Sequence, residues 1–200
     1  MTEQLILVRH GETVHNVAGI AQGWGDSDLS ERGQRQVARL AERLKAFSPD
    51  AIYSSTLQRA VATAERIAAV VGLDVRLVDD LREMNYGRWE GQNFRDIRRN
   101  EEPVYRRWIA EPDFPCPEGE SHVDVLARVR RALELINGSK SPVIVTHGTA
   151  IRIATTALLE LPLTASRHFA QDNASINVFL RRGDRWVLKL WNDNTHCEQS

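Results

Sequence analysis

Two apolar runs, Leu5-Ile6-Leu7-Val8 and Val143-Ile144-Val145, stop at a histidine followed by a glycine, the first at Arg9-His10-Gly11 and the second at Thr146-His147-Gly148. Short continuous apolar runs of this kind read as strands buried on both faces, the habit of parallel strands with helices on either side. Open α/β folds bind their ligands beyond the carboxyl ends of such strands. A third run, Ala51-Ile52-Tyr53, ends at Ser54-Ser55, and Arg59 follows in what reads as the first turn of a helix. The chain thus brings Arg9, His10, Arg59 and His147 to the ends of strands. Arginines, imidazoles and helix N-termini in one place suit a phosphate.

Helical and strand periods alternate around these runs. Ser30 is a natural N-cap, and Val37, Leu40, Ala41, Leu44 and Phe47 recur at the spacing of a one-faced helix that Ser48-Pro49 stops. A second helix is expected from about Leu57, with Ala60, Ala64, Ile67, Ala68 and Val71 on one face and Gly72 at its end. Ser121 with Asp124 opens a third, whose Val125, Leu126, Val129, Leu133 and Ile136 face inward before Asn137-Gly138 ends it. A fourth should cover roughly residues 150–159. Val75-Arg76-Leu77 is a further short strand, and residues 176–180 and 185–190 read as a hairpin, so one strand should run antiparallel.

The expected fold class is therefore α/β: a three-layer α/β/α sandwich with a mostly parallel central sheet. The 200 residues, 42% of them hydrophobic, suffice for a single domain over 1–200. Between Glu83 and Ser121 the pattern loosens into two short charged helices, 94–100 and 103–110, and a proline-rich loop, 111–117. We read about 92–120 as a cap-like insertion over the site.

With 26 basic and 27 acidic residues the net charge is −1, so no global field recruits nucleic acid or a membrane surface. No basic-then-apolar leader precedes the first strand, and no apolar stretch approaches the roughly 20 residues that span a bilayer. A soluble, cytoplasmic protein is expected. Cys116 and Cys197 lack any C-x-x-C or His-rich ligand spacing, which argues against a disulfide framework or structural zinc.

Several motifs occur in order along the chain: Arg9-His10-Gly11-Glu12-Thr13 with Asn16; Leu29-Ser30 with Gly33 and Gln36; and Ser54-Ser55 with Arg59-Ala60. Glu83 follows with Tyr86-Gly87-Arg88-Trp89-Glu90-Gly91, then Gly119-Glu120-Ser121, Thr146-His147-Gly148 and Asp172-Asn173-Ala174-Ser175. On these the chain resembles, over essentially its whole length, the histidine phosphatase superfamily, which also holds the cofactor-dependent phosphoglycerate mutases. That likeness implies the phosphoglycerate mutase-like form of the fold.

The resemblance implies a set of roles. His10 is the nucleophile, which requires one unprotonated ring nitrogen and gains from a hydrogen bond that fixes the tautomer at the other. Arg9 and Arg59 grip phosphoryl oxygens, and His147, protonated or donating, holds an equatorial oxygen in the transition state. Glu83 is the family's acid, giving a proton to the leaving alkoxide and later taking one from water. Glu12 and Glu90 are the alternative carboxyls, with Glu12 expected to support the site by hydrogen bonding. Asn16 and the Gln22-Gly23 loop match phosphate-contacting positions, although a turn or cap role explains Asn16 nearly as well.

No cofactor is implied and no metal is expected: His15, His122, His168 and His196 pair with no carboxylate at a familiar ligand spacing. Arg95, Arg98, Arg99, Arg106 and Arg107 read as a solvated helix face in preference to an anion-binding one. Trp24, Tyr86, Trp89 and Trp108 suit a pocket wall and a packed core equally. The expected reaction is metal-independent hydrolysis of small phosphomonoesters through a phosphohistidine. Its partner is a small phosphorylated metabolite, with no nucleic acid and no membrane, and a homodimer is compatible with the chain.

Two alternatives stand beside this reading. The mutases share the phosphohistidine but generally carry a longer cap insertion, and the run around Tyr86 looks more like the phosphatase branch. A non-catalytic phosphate-binding module usually lacks the nucleophile or an arginine, and here the set is complete. The stretch from Phe169 to Leu190 resembles the metal-independent phosphoserine phosphatases, yet those carry a histidine where this chain has Tyr86, so no particular ester is assigned.

Overall fold

The computed structural model describes residues 2–136 and 138–197. Six strands form one sheet: β1 (Gln4–Arg9), β2 (Ala51–Ser54), β3 (Val75–Leu77), β4 (Pro142–Thr146), β5 (Ile176–Arg182) and β6 (Arg185–Asp193), in the order β3-β2-β4-β1-β5-β6. β1, β2, β3 and β4 pair in parallel. β5 runs antiparallel to both of its neighbours, β1 and β6, as the hairpin reading requires.

Alternation along the strands divides the core. Ile6, Val8, Ile52, Val143 and Val145 face Leu40, Ala41 and Leu44 of α2 (Glu31–Leu44) and Ala60, Ala64 and Ile67 of α3 (Gln58–Val71). Leu5, Leu7, Tyr53, Ile144 and Phe179 face Val125, Val129 and Ala132 of α6 (His122–Leu135) and Ile151 and Ala154 of α7 (Gly148–Leu158). This is the three-layer sandwich. Removing one fully buried side chain from it, as in Leu40→Ala, should cost about 2–5 kcal/mol.

Local signals account for the helix ends. The Ser30 hydroxyl accepts from Gly33 N at 2.9 Å, Ser121 and Asp124 form a capping box, and α3 stops at Gly72 with φ of 75°. Asn137, read above as part of the stop of α6, lies outside the described residues. α1 (Val14–Ala18) was not expected, although Thr13 and Asn16 form a capping box that announces it. α4 (Phe94–Asn100) and α5 (Glu102–Ala110) occupy the charged stretch.

One shift matters for the site. α7 starts at Gly148, two residues earlier than the apolar period suggests, because extended His147 at the end of β4 itself serves as the N-cap. The helices that follow β1 and β4 then leave on opposite faces of the sheet. Two adjacent parallel strands so treated open a crevice at their carboxyl ends, the place where doubly wound folds bind ligands.

Candidate active site

His10, His147 and Arg59 meet at that crevice. His10 N donates to Thr146 O at 3.0 Å, and Ser55 N donates to Val145 O at 3.0 Å, which joins the ends of β1, β2 and β4. The His10 and His147 rings lie 5.1 Å apart between centroids. Both are buried.

The loop that follows β1 is fixed by α2. Gly33 lets the backbone of Glu12 cross the helix start: a Cβ there would sit 1.9 Å from Glu12 O. Glu12 N donates to Gln36 Oε1 at 3.0 Å, and Ser30 Oγ donates to Glu12 Oε1 at 2.7 Å. Glu12 is thereby committed to the frame, as expected. From the other side Gly11 N donates to Thr63 Oγ1 at 3.1 Å, and Ala174 N to His10 O at 3.0 Å.

His10 Nδ1 lies 2.7 Å from Gly11 O, an acceptor only, so Nδ1 carries the hydrogen and Nε2 keeps its lone pair. Burial, then the charges of Arg59 and Arg9, hold the ring's pKa well below the usual histidine value. The neutral, nucleophile-competent form therefore prevails at pH 7. His147 is held low by burial first, then by Arg59 and His10, which favours the donating ring over the protonated one. Its Nε2 lies 2.8 Å from Ser55 Oγ while Nδ1 is buried without a partner, and with the serine hydroxyl donating, Nδ1–H remains to meet an oxyanion.

Arg59 is buried and aimed by backbone. It donates from Nη1 to Gly25 O at 2.7 Å and Asp26 Oδ1 at 3.1 Å, and from Nη2 to Gly23 O at 2.7 Å, while Nε has no partner. Gly23 thus contributes a carbonyl that orients Arg59; at φ of 54° with Glu90 Oε1 2.0 Å from where a Cβ would stand, only glycine fits. Arg9 donates to Gln171 O and likewise keeps an unpartnered Nε. Burial lowers its pKa to about 10, so it stays charged at neutral pH.

Gln22 is buried and accepts from Thr13 Oγ1 at 3.1 Å. Asn16 uses Oδ1 as an acceptor for Thr13 N, Thr13 Oγ1 and Asn173 Nδ2, so the cap role is real and its amide nitrogen remains uncommitted.

Glu83 stands on the turn after β3 and the short helix Asp79–Leu81, buried, with Oε1 accepting from Met84 N at 2.8 Å and Oε2 from Thr149 N at 3.1 Å in the first turn of α7. Glu90, the rival carboxyl, is occupied elsewhere, accepting from Trp24 N, Tyr86 N and Gly25 N to tie two loops together. Arg9, Glu83 and Thr149 form part of the wall of a cavity of about 330 Å³. Tyr86, Tyr105 and Trp108 also line it, whereas Trp89 is core and Trp24 is partly exposed, its indole N–H donating to Glu83 O. His10, Arg59 and His147 are not in this lining.

Of the charged residues of α4 and α5, Arg99, Arg106 and Arg107 pair with Asp96, Glu102 and Glu111 at the surface, in keeping with a solvated face. Among the described residues no three His, Cys, Asp or Glu side chains are placed to share a metal ion. Cys116 is buried, which pushes its thiol pKa up to about 12.

Some contributors escaped the sequence reading. Arg128 of α6 donates to the carbonyls of Asp80, Arg82 and Glu83 and forks onto both oxygens of Glu120, clamping the turn that carries Glu83. Thr63, Arg152, His122 and Arg167 were also unassigned. A helix position gives no sign that its side chain reaches a distant loop.

Residues 5–194 match the model of the histidine phosphatase superfamily (branch 1), and the chain belongs to that family. It is 36% identical over 197 residues to phosphoserine phosphatase 1 of Hydrogenobacter thermophilus, covering 96% of this chain and 93% of that protein. It is 38% identical over 194 residues to a probable phosphoglycerate mutase GpmB of Cronobacter sakazakii, covering 94% and 89%. Among solved structures, a mycobacterial glucosyl-3-phosphoglycerate phosphatase in complex with VO3 superposes with a TM-score of 0.88 at 34% identity, covering 96% of this chain and 99% of that one.

Proposed function

We propose that the protein is a metal-independent phosphatase that hydrolyses small phosphomonoesters through a phosphohistidine at His10. The observation that carries this is the His10 tautomer: Nδ1–H is committed to Gly11 O, and burial beside Arg9 and Arg59 keeps Nε2 unprotonated where a phosphoryl group would be held. Nε2 attacks phosphorus as the ester P–O bond breaks, and Glu83 in its acid form protonates the departing oxygen. Water then attacks the phosphohistidine, Glu83 takes its proton, the P–N bond breaks and inorganic phosphate leaves. Arg9, Arg59 and His147 Nδ1–H meet the charge on the transferring oxygens, with Asn16 and Gln22 completing the pocket. The two guanidinium groups and the imidazole N–H supply the electrostatic stabilisation that a metal provides elsewhere. We place the activity in the cytoplasm, with residues 92–120 capping a single domain.

The test is a denaturing quench during turnover of phosphorus-labelled p-nitrophenyl phosphate. Label should remain on the protein, stable in base and labile in acid as a phosphoramidate is, and His10→Ala should abolish both label and turnover. Label on His147, or near-normal turnover by a folded His10→Ala protein, overturns the assignment. The mutase reading is favoured by the GpmB-named relatives alone. Conversion of 3-phosphoglycerate to its 2-isomer faster than phosphate release would establish it.

A further inference from the structure

The turn 171–175, just ahead of β5, grips both Arg9 and His10. Arg9 N donates to Ser175 O at 3.2 Å, and the Arg9 guanidinium donates to Gln171 O. His10 O accepts from Ala174 N at 3.0 Å and from Asn173 Nδ2 at 3.2 Å. Asn173 Nδ2 also donates to Asn16 Oδ1 at 3.1 Å, so one side chain links the backbone of His10 to the loop beyond it.

This turn is held in shape from outside. Ala174 is fully buried at φ of 56°, a left-handed conformation that a residue with a Cβ keeps only where its surroundings over-determine it. Residues at and beyond the end of β6 do so. Asp172 N donates to Asn192 Oδ1 at 2.7 Å, and Asp172 Oδ2 accepts from Asn192 Nδ2 at 2.8 Å and from Asn194 Nδ2 at 3.2 Å. His196, in the short helix Thr195–Cys197, is 7% exposed, and its Nε2 lies 3.0 Å from Ala174 O. A carbonyl only accepts, so Nε2 carries the hydrogen. Arg39 of α2 donates to Cys197 O at 2.9 Å and anchors that short helix from its far end.

Resting on the phosphatase reading above, we infer that the turn 171–175, braced by residues 192–196, is the cradle of the nucleophile, with His196 a positioning residue that acts on His10 through the backbone of Ala174. Two hydrogen bonds make the path: His196 Nε2–H to Ala174 O, and Ala174 N–H to His10 O. Without the first, the left-handed residue is free to relax. The second then shifts with it, and the imidazole that must face phosphorus in line moves off its course. His196 is absent from the lining of the cavity that Glu83 walls, so its loss spares the acid.

Two substitutions separate the hydrogen bond from packing: His196→Phe keeps a buried ring and deletes the donor, while His196→Gln deletes the ring and keeps a donor of similar reach. The readout is the single-turnover rate at which label reaches the protein from phosphorus-labelled p-nitrophenyl phosphate and from sn-glycerol 3-phosphate. His196→Phe should slow labelling about 10–10²-fold, the scale of a misplacement of up to about 1 Å, and His196→Gln should keep most of the wild-type rate. The factor should be the same on both esters, because the nucleophile is displaced and the proton donor is not. Asn173→Ala, which takes the other donor from His10 O, should slow both esters alike. A wild-type rate in His196→Phe, the reverse ranking of Phe and Gln, or a larger loss on the alkyl ester overturns the cradle and leaves the phosphatase reading standing. An unchanged rate in Asn173→Ala overturns it too, even where His196→Phe does not fold. No label and no phosphate release from either ester with the wild-type protein sinks the phosphatase reading and this inference together.

Discussion

Replacing Arg128 by methionine keeps its packing stem and removes the guanidinium that holds the Glu83 turn. Arg128 is 7% exposed and Glu120 18%, and their bidentate contact is 2.9 and 3.0 Å long. The variant leaves Glu120 with Asn85 N, at 2.8 Å, as its remaining donor and strips one donor from three carbonyls of the turn. Breaking a buried pair from one side costs about 3–5 kcal/mol, and a domain with the usual 5–15 kcal/mol of stability survives that. A relaxed turn also misplaces Glu83, and an error of about 1 Å can cost roughly 10²-fold in rate. Urea unfolding should show the stability loss, and the double variant Arg128→Met/Glu120→Gln should be less destabilised than the two singles summed, by about 1–3 kcal/mol. Rates on an alkyl phosphate should fall further than on p-nitrophenyl phosphate, because only the alkoxide needs the proton from Glu83. A stability change within about 0.5 kcal/mol, or equal losses on both substrates, would refute the clamp.

Glu83→Gln should slow an alkyl phosphate by about 10²–10⁴-fold and p-nitrophenyl phosphate much less when phosphorylation limits the rate; equal small losses would transfer the acid role elsewhere. Activity should survive excess EDTA and be inhibited by vanadate, the oxyanion class found on the mycobacterial relative; loss in EDTA with recovery on adding Mg²⁺ or Mn²⁺ would disprove metal independence. Stability should fall as pH drops below about 6.5, because His10, His147, His122 and His196 all have folded pKa values lowered from 6.5 by burial, so the unfolded chain takes the protons first. The loss begins near the unfolded value and continues to about 4 for His122, at up to about 1.4 kcal/mol per pH unit for each proton taken up; urea midpoints that stay level from pH 7 to 5 would count against it.

Chemistry at strand ends was legible because it is local in sequence. A buried run followed at once by Arg9-His10, by Ser54-Ser55 or by His147 must place those groups at the sheet edge, whatever else the fold does. The frame behind them was visible only as motif. Ser30, Gly33 and Gln36 appear in the sequence as a helix start, and what they accomplish depends on Glu12 arriving against them: one donates to its carboxylate, one vacates the space its carbonyl fills, one accepts from its N–H. Gly23 is similar, since it reads as a ligand-loop glycine and its carbonyl serves Arg59.

Arg128, Arg152 and His122 were illegible for a stronger reason. On a helix wheel an arginine next to the apolar face reads as a solvated edge, and that reading is right for Arg99, Arg106 and Arg107, whose acidic partners lie three or four residues away. Arg128 departs from it because its carbonyl partners lie 45 to 48 residues away, on the turn that carries Glu83. Arg152 departs from it because α7 presents it to the cavity, where among the described residues no acid forms an ion pair with it and its Nε has no acceptor. The difference between a clamping arginine and a cavity-lining one therefore lies in what stands opposite the guanidinium, which a helix wheel does not show. In this chain the arginine answered by protein carbonyls steadies the turn that carries Glu83, and the one whose Nε meets no described partner lines the cavity beside Arg9 and Glu83.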